Sequence, residues 1–204
     1  MSSEPIRNPN MDHLLTPQNA ALVVIDYQPV QVNSIKSMNQ DELVTNVVTV
    51  IKSAKAYGLP IIASTVNVAT KINKPTVEPI AKALGDVPQL DRTTINSWED
   101  VEVRRAIEAT GRRKLIIAAL WTEACLLFPS EDVMRLGYEV WVPVDAVGGT
   151  SVLAHESALR RLVHGGAKLT TIPSMLCELQ RDWSRKETVP SFVDLLFKQH
   201  LAAR

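Results

Sequence analysis

Five short, continuously apolar runs constrain this chain more than any other feature: "ALVVID" (Ala21–Asp26), "LPIIASTV" (Leu59–Val66), "KLIIAAL" (Lys114–Leu120), "YEVWVPV" (Tyr138–Val144) and "AKLTTI" (Ala167–Ile172). None alternates apolar with polar residues. They suit strands covered on both faces, the condition of a parallel sheet. Helical patterns lie between them. Asp41–Tyr57 carries Leu43, Val47, Val48, Ile51 and Ala54 on one stripe and closes at Gly58 and Pro60. The stretches 98–111, 122–137 and 151–166 each stop at glycine. Strand–helix repetition of this kind predicts an α/β fold, a parallel sheet with right-handed crossovers and helices on both faces. Ala69–Leu90, with Pro75, Pro79 and Pro88, breaks the pattern and predicts an irregular excursion holding a short helix. From Ser174 onward one or two helices are expected, the last near Pro190–Leu201. The expected organisation is an N-terminal extension over 1–19 and a single domain over 20–204.

Composition narrows the function classes. Hydrophobic residues make up 46% of the 204, enough for a sizeable core. Lys plus Arg equals Asp plus Glu at 22 each, which leaves no electrostatic footprint for nucleic acid or an anionic membrane. No apolar run approaches the roughly 18–20 residues of a membrane span. Cys125 and Cys177 make neither a disulfide framework nor a CxxC motif. No basic flank precedes an apolar run near the N-terminus, so a cytoplasmic protein is expected.

In an open α/β sheet ligands bind outside the carboxyl ends of the strands. The polar residues there are Asp26 after the first run, Asn67 after the second, Thr122, Glu123 and Cys125 after the third, and Asp145 at the end of the fourth. No glycine-rich phosphate loop follows any strand, so nucleotide binding has no support. Cys125 falls in the first turn of a predicted helix. Unpaired N–H groups and the positive end of the dipole there favour the thiolate, the nucleophilic form. The alternative for Cys125 is a packed core thiol, for Asp26 a capping or turn residue, and for Cys177 core filler. Pro129 lies four residues past Cys125, where its ring clashes with a regular helix; it predicts a kink or a first turn freed from the helix.

The strand ending in Asp ("ALVVIDYQ"), the strand–turn–helix "AALWTEACLLFP" and "GYEVWVPVDAVGGTS" together resemble the isochorismatase-like cysteine hydrolase superfamily. "DRTTINSWEDVEVRRAIEATGRRKLIIAALWTEAC" and "AKLTTIPSMLCELQRDW" resemble its YcaC-type branch, over roughly Ala20–Leu201. The resemblance implies a three-layer, doubly wound, six-stranded parallel sheet and a catalytic triad of Asp26, Arg92 and Cys125. The superfamily usually has Lys at the middle position, in the loop before the helix that precedes the cysteine strand; this chain resembles the branch that carries Arg there. Arg stays charged and cannot shuttle a proton, so its contribution is charge. The resemblance also implies a non-proline cis peptide, expected at Trp121–Thr122, with the backbone N–H groups of Thr122 and Cys125 facing one oxyanion site.

Asn67, Asn96 and Trp98 are candidates to line the substrate pocket, with turn capping or core packing as the alternative for each. Nicotinamidases of the superfamily bind a metal through histidines after the second strand. "STVNVATKINKP" has none, so no metal, no cofactor and no nicotinamidase activity are expected. His155 and His164 sit about 2.5 turns apart on one predicted helix, on opposite faces, and are read as structural or surface residues. Isochorismatases proper protonate a vinyl ether and do not need the cysteine. Retention of all three residues points instead to hydrolysis of a C–N bond (amide, imide or ureido) in a small molecule through a covalent thioester. The rival reading is a non-catalytic oligomeric scaffold or thiol-based sensor. A homo-oligomer, tetramer or octamer, is implied by the resemblance, and the apolar "SFVDLLFKQHL" permits it.

Overall fold

The computed structural model describes residues 7–201. Its strands are β1 (Ala20–Ile25), β2 (Ile61–Val66), β3 (Gln89–Arg92), β4 (Lys114–Ala119), β5 (Glu139–Pro143) and β6 (Lys168–Thr170). Its α-helices are α1 (Pro29–Asn33), α2 (Gln40–Ala56), α3 (Glu78–Leu84), α4 (Val101–Ala109), α5 (Leu127–Arg135), α6 (Val152–His164), α7 (Ile172–Gln180) and α8 (Val189–Val193). A π-helical turn, Thr122–Leu126, leads into α5, and another, Asp194–Leu201, follows α8.

The six strands form one parallel sheet in the order β3-β2-β1-β4-β5-β6. β1 and β4 are its centre and are buried at every position. Their side chains divide by parity. Ala20, Leu22, Val24, Ile116, Ala118 and Leu120 join one core with Leu43, Val47, Val50 and Ile51 of α2 and Ile172, Met175, Leu176 and Leu179 of α7. Ala21, Val23, Ile25, Leu115, Ile117 and Ala119 join the other with Val103 and Ile107 of α4, Leu127 and Val133 of α5, and Ala158 and Leu162 of α6. Each buried Val, Leu or Ile contributes about 1.5–3 kcal/mol, so neither face is left wet. This is the three-layer, doubly wound sheet expected, with six strands where the apolar runs alone mark five.

The missing strand is β3. Its four residues, Gln-Leu-Asp-Arg, carry no apolar run, and they overlap the stretch read as an irregular excursion. Pairing with β2 makes it a strand, and the register Val66↔Arg92 puts Arg92 at its carboxyl end rather than in a loop. The packed body also starts before Ala20. Leu15 is in the core, Asp12, Thr16 and Asn19 are buried, and Arg181 Nη1 donates to Asp12 Oδ2 at 2.9 Å. The C-terminal segment spends much of its apolar surface on this molecule: Phe192, Leu195 and Leu196 complete the α2/α7 core, while Trp183, Phe197 and Leu201 stay exposed. Cys177, expected to fill the core, is exposed, because α7 turns Leu176 and Leu179 inward instead. Among the described residues no helix is long and apolar enough to cross a membrane.

Candidate active site

Strand order reverses between β1 and β4, and the crevice beyond their carboxyl ends is where such a sheet leaves room for a ligand. Asp26 follows β1. Its N–H still donates to Ser64 O at 3.0 Å, but its φ of 62° is left-handed, a conformation costing roughly 1 kcal/mol or more for a residue with a Cβ. The chain therefore leaves the strand at Asp26, with the carboxylate fully buried.

Arg92 reaches across the end of β2 to that carboxylate. Nη1 donates to Asp26 Oδ1 at 2.6 Å and Nη2 to Oδ2 at 2.7 Å, a two-pronged pair with both side chains at 0% exposure. The same guanidinium donates to Thr65 O (3.0 Å), Ser64 Oγ (3.3 Å) and Ile95 O (3.2 Å). Burial works against its charge, but the hydrogen bonds and attraction of Asp26, and then of Cys125, outweigh it and raise the Arg92 pKa. These bonds occupy both terminal nitrogens of the guanidinium and leave Nε buried without a partner.

Cys125 sits on the π-helical turn, buried at 7% exposure. The turn and Pro129 explain one another. Proline has no N–H to offer, so the chain widens over 122–126 before regular α5 begins at Leu127. Asp26, Arg92 and the backbone N–H of Trp121 all act on the thiol. The structure thus brings Asp26, Arg92 and Cys125 together. It reverses the expectation about charge: burial, then the negative charge of Asp26 and its hydrogen bond with the thiol, push the Cys125 pKa up to about 12, against the opposing pull of Arg92 and Trp121 N–H. At rest Cys125 is a neutral thiol.

Thr122 is not free to serve as an oxyanion donor. Its N–H donates to Gly148 O at 2.9 Å, and its hydroxyl pairs with His155 Nδ1 at 2.8 Å. The reason is register. Leu120 still bridges Gly148 in parallel, so the sheet holds the chain one residue further than expected. The cis peptide is likewise Leu120–Trp121, not Trp121–Thr122. Nothing in the local sequence distinguishes Trp121 from Thr122 in this respect. Behind the turn, Glu123 Oε1 accepts from Thr150 N–H (2.9 Å) and Oγ (2.6 Å). Gly149 is required there, since a Cβ would stand 2.7 Å from Glu123 Oε2 and 2.8 Å from His155 Cβ.

The three candidate pocket residues are committed elsewhere. Asn96 caps the 3-10 turn Ser97–Glu99 through Trp98 N–H (3.1 Å) and donates to Asp132 Oδ2 (2.7 Å). Trp98 is buried in the α4–α6 core, its ring edge-on to Tyr138 with centroids 6.0 Å apart. Asn67, left-handed at φ 60°, gives its N–H to Arg92 O and accepts from Thr70 Oγ1 at 3.1 Å. Its Oδ1 is engaged within its own turn, and its backbone adjoins Arg92. Among the described residues no three His, Cys, Asp or Glu side chains gather as a metal-binding group.

Two comparisons decide the family. The isochorismatase domain model matches residues 20–174, and YcaC of Escherichia coli (strain K12) is 34% identical over 83% of this chain and 81% of its own. The chain belongs to the isochorismatase family. The matched span runs from β1 into α7 and includes all three residues of the buried cluster. Solved structures agree. YcaC from Pseudomonas aeruginosa, with hexane-2,5-diol and covalent acrylamide, superposes at a TM-score of 0.81 and 28% identity over 90% of this chain and 95% of that one. The Escherichia coli YcaC structure, an octameric hydrolase of unknown specificity, gives 0.81 and 29% over 95% and 96%. The fold and family are those of the YcaC-type branch, and the chain is an isochorismatase-family hydrolase.

Proposed function

We propose that this isochorismatase-family hydrolase cleaves a C–N bond of a small amide, imide or ureido compound through a thioester on Cys125. One observation carries the reading: in a buried site at the strand-order reversal, the Asp26 carboxylate meets both the Arg92 fork and the Cys125 thiol. With the thiol neutral at rest, proton loss must accompany attack. Asp26 takes the Cys125 proton as the sulfur bonds to the carbonyl carbon. The carbonyl oxygen gains the charge and is held by the N–H groups of Trp121 and Cys125. Collapse breaks the C–N bond, and the departing nitrogen takes the proton from Asp26. Water, deprotonated by Asp26, then cleaves the thioester and the proton returns to sulfur. Arg92 stays cationic throughout and offsets the negative charge passing between carboxylate and sulfur.

Two facts support the reading. Acrylamide, an acceptor for nucleophiles, is covalently present in the Pseudomonas aeruginosa YcaC. Burial and the raised thiol pKa also count against the sensor alternative, because redox-sensing cysteines are exposed and acidic. The test is ammonia or amine release from a panel of small amides and ureides by wild type, Cys125→Ala and Asp26→Asn. Turnover by wild type alone is expected; a substrate hydrolysed equally well by either variant sinks the mechanism. Because the Escherichia coli YcaC is octameric, self-association is proposed here too. Light scattering at micromolar concentration checks it, and a mass near the 22.5 kDa of one chain would rule it out.

A further inference from the structure

The segment that follows α1 is stitched to the loop carrying the cysteine. Trp121 Nε1–H donates to Ser34 Oγ at 2.6 Å, and Ser34 Oγ–H donates in turn to Gln31 O at 2.8 Å. Two residues on, Lys36 N–H donates to Gly149 O and Gly149 N–H to Ser37 Oγ, both at 3.0 Å. Trp121 is the residue whose backbone N–H acts on the Cys125 thiol. Its carbonyl accepts from Ala124 and Leu126 N–H, each at 3.1 Å, so the turn fixes its far side. Its near side is held through Leu120, whose N–H donates to Ile25 O at 3.1 Å, and its side chain adds a further tie. The indole is large, only half-buried, and makes its polar contact with one hydroxyl from another element.

We infer that Ser34 is a positioning residue for the oxyanion site: by holding the Trp121 indole it fixes the direction of the Trp121 backbone N–H. The inference rests on the hydrolase reading above. Ser34 touches neither sulfur nor carboxylate and acts only through Trp121. Its hydroxyl suits the task because it uses both its roles, accepting from the indole and donating to Gln31 O, so it has one orientation. An error of about 1 Å in a stabilising group is sufficient for a rate loss on the order of a hundredfold, so the hydrogen bond is kinetically consequential even if it adds little to stability.

Acrylamide at Cys125 is the probe. The sulfur bonds to the terminal carbon, the double-bond electrons move onto the amide oxygen as an enolate, and the thiol proton passes through Asp26 to the α-carbon. The developing charge on oxygen is what Trp121 N–H stabilises. Adduct formation is followed by peptide-mapping mass spectrometry in Ser34→Ala, Ser34→Thr, Trp121→Phe and the Ser34→Ala/Trp121→Phe double variant. The expected result is a loss of about tenfold or more in rate for Ser34→Ala and for Trp121→Phe, with no further loss in the double variant. Ser34→Thr keeps the hydroxyl and stays within about threefold of wild type, and thermal midpoints remain within about 2 °C. Wild-type rates in Ser34→Ala, or losses that multiply in the double variant, overturn the inference. A wild-type protein that is labelled at Cys177 but never at Cys125 overturns the hydrolase reading itself, and this one with it.

Discussion

The Cys125 thiol has two neighbours of opposite charge and a third influence, burial, larger than either. Asp26 raises its pKa and Arg92 lowers it, so the carboxylate proposed as the base also holds the proton in place at rest. Ultraviolet absorbance of the thiolate, in a Cys177→Ser background, should show Cys125 unionised through about pH 9, the region where an ordinary thiol has titrated. Asp26→Asn should move that transition downward, since it removes the second-largest cause of the upward shift and leaves Arg92 in place. A wild-type thiolate at neutral pH would contradict the geometry. The same enclosure sets the stability of the pair. Arg92→Met leaves the Asp26 carboxylate buried without its partner and should cost about 3–5 kcal/mol in urea unfolding. Adding Asp26→Asn to that variant should recover part of the loss.

Among the elements, the turn 122–126 is the one whose shape decides chemistry. A regular helix would draw Cys125 into its hydrogen-bond ladder; Pro129 withholds the donor that would do so. Pro129→Ala restores an N–H there and should let the turn tighten. The expected outcome is a fall of about tenfold in turnover of any amide substrate, with an unfolding midpoint equal to wild type or higher. Equal turnover would show that the widened turn is indifferent to the nucleophile. β3 makes a complementary point. It is a strand because β2 offers it a ladder, and it carries Arg92 to a position opposite Asp26, 66 residues away in the chain.

For the whole molecule, acid is the informative stress. Burial would raise the Asp91 carboxyl, but N–H groups of Ala69 and Val68, Thr65 Oγ and the Arg92 charge outweigh it and hold it below 3.8. Asp12, tied to Leu14 N–H and Arg181, and Glu139, between Lys114 and Lys168, are likewise lowered against their burial, from 3.8 and 4.5. A group depressed in the folded state contributes stability above its unfolded value and loses it as pH falls through the folded one. Glu178 runs the other way: burial raises it above 4.5, so its contribution is present below that value and fades as pH rises. Burial lowers His155 from 6.5, so the urea midpoint should begin to slip as pH falls past that value, and three lowered carboxyls against one raised predict a steeper drop below about pH 4. Urea titrations at pH 3, 4, 5 and 7 check this, and an unchanged midpoint at pH 3 would refute it.

By itself the sequence determined the fold class, the helices that flank the sheet, and the placement of Asp26 and Cys125 at strand ends. Those are local matters: an unbroken apolar run, a period of 3.6 and a closing glycine are written in consecutive residues. The pairing of Arg92 with Asp26 was legible only through resemblance, since four residues without an apolar run announce no strand. Only the tertiary structure decided that the Thr122 N–H is taken by Gly148 O, that Asn96 and Trp98 belong to a cap and a core, and that the thiol rests protonated. Register, burial and the sum of nearby charges fix each of these. They are supplied by residues distant in the chain, so no local pattern encodes them.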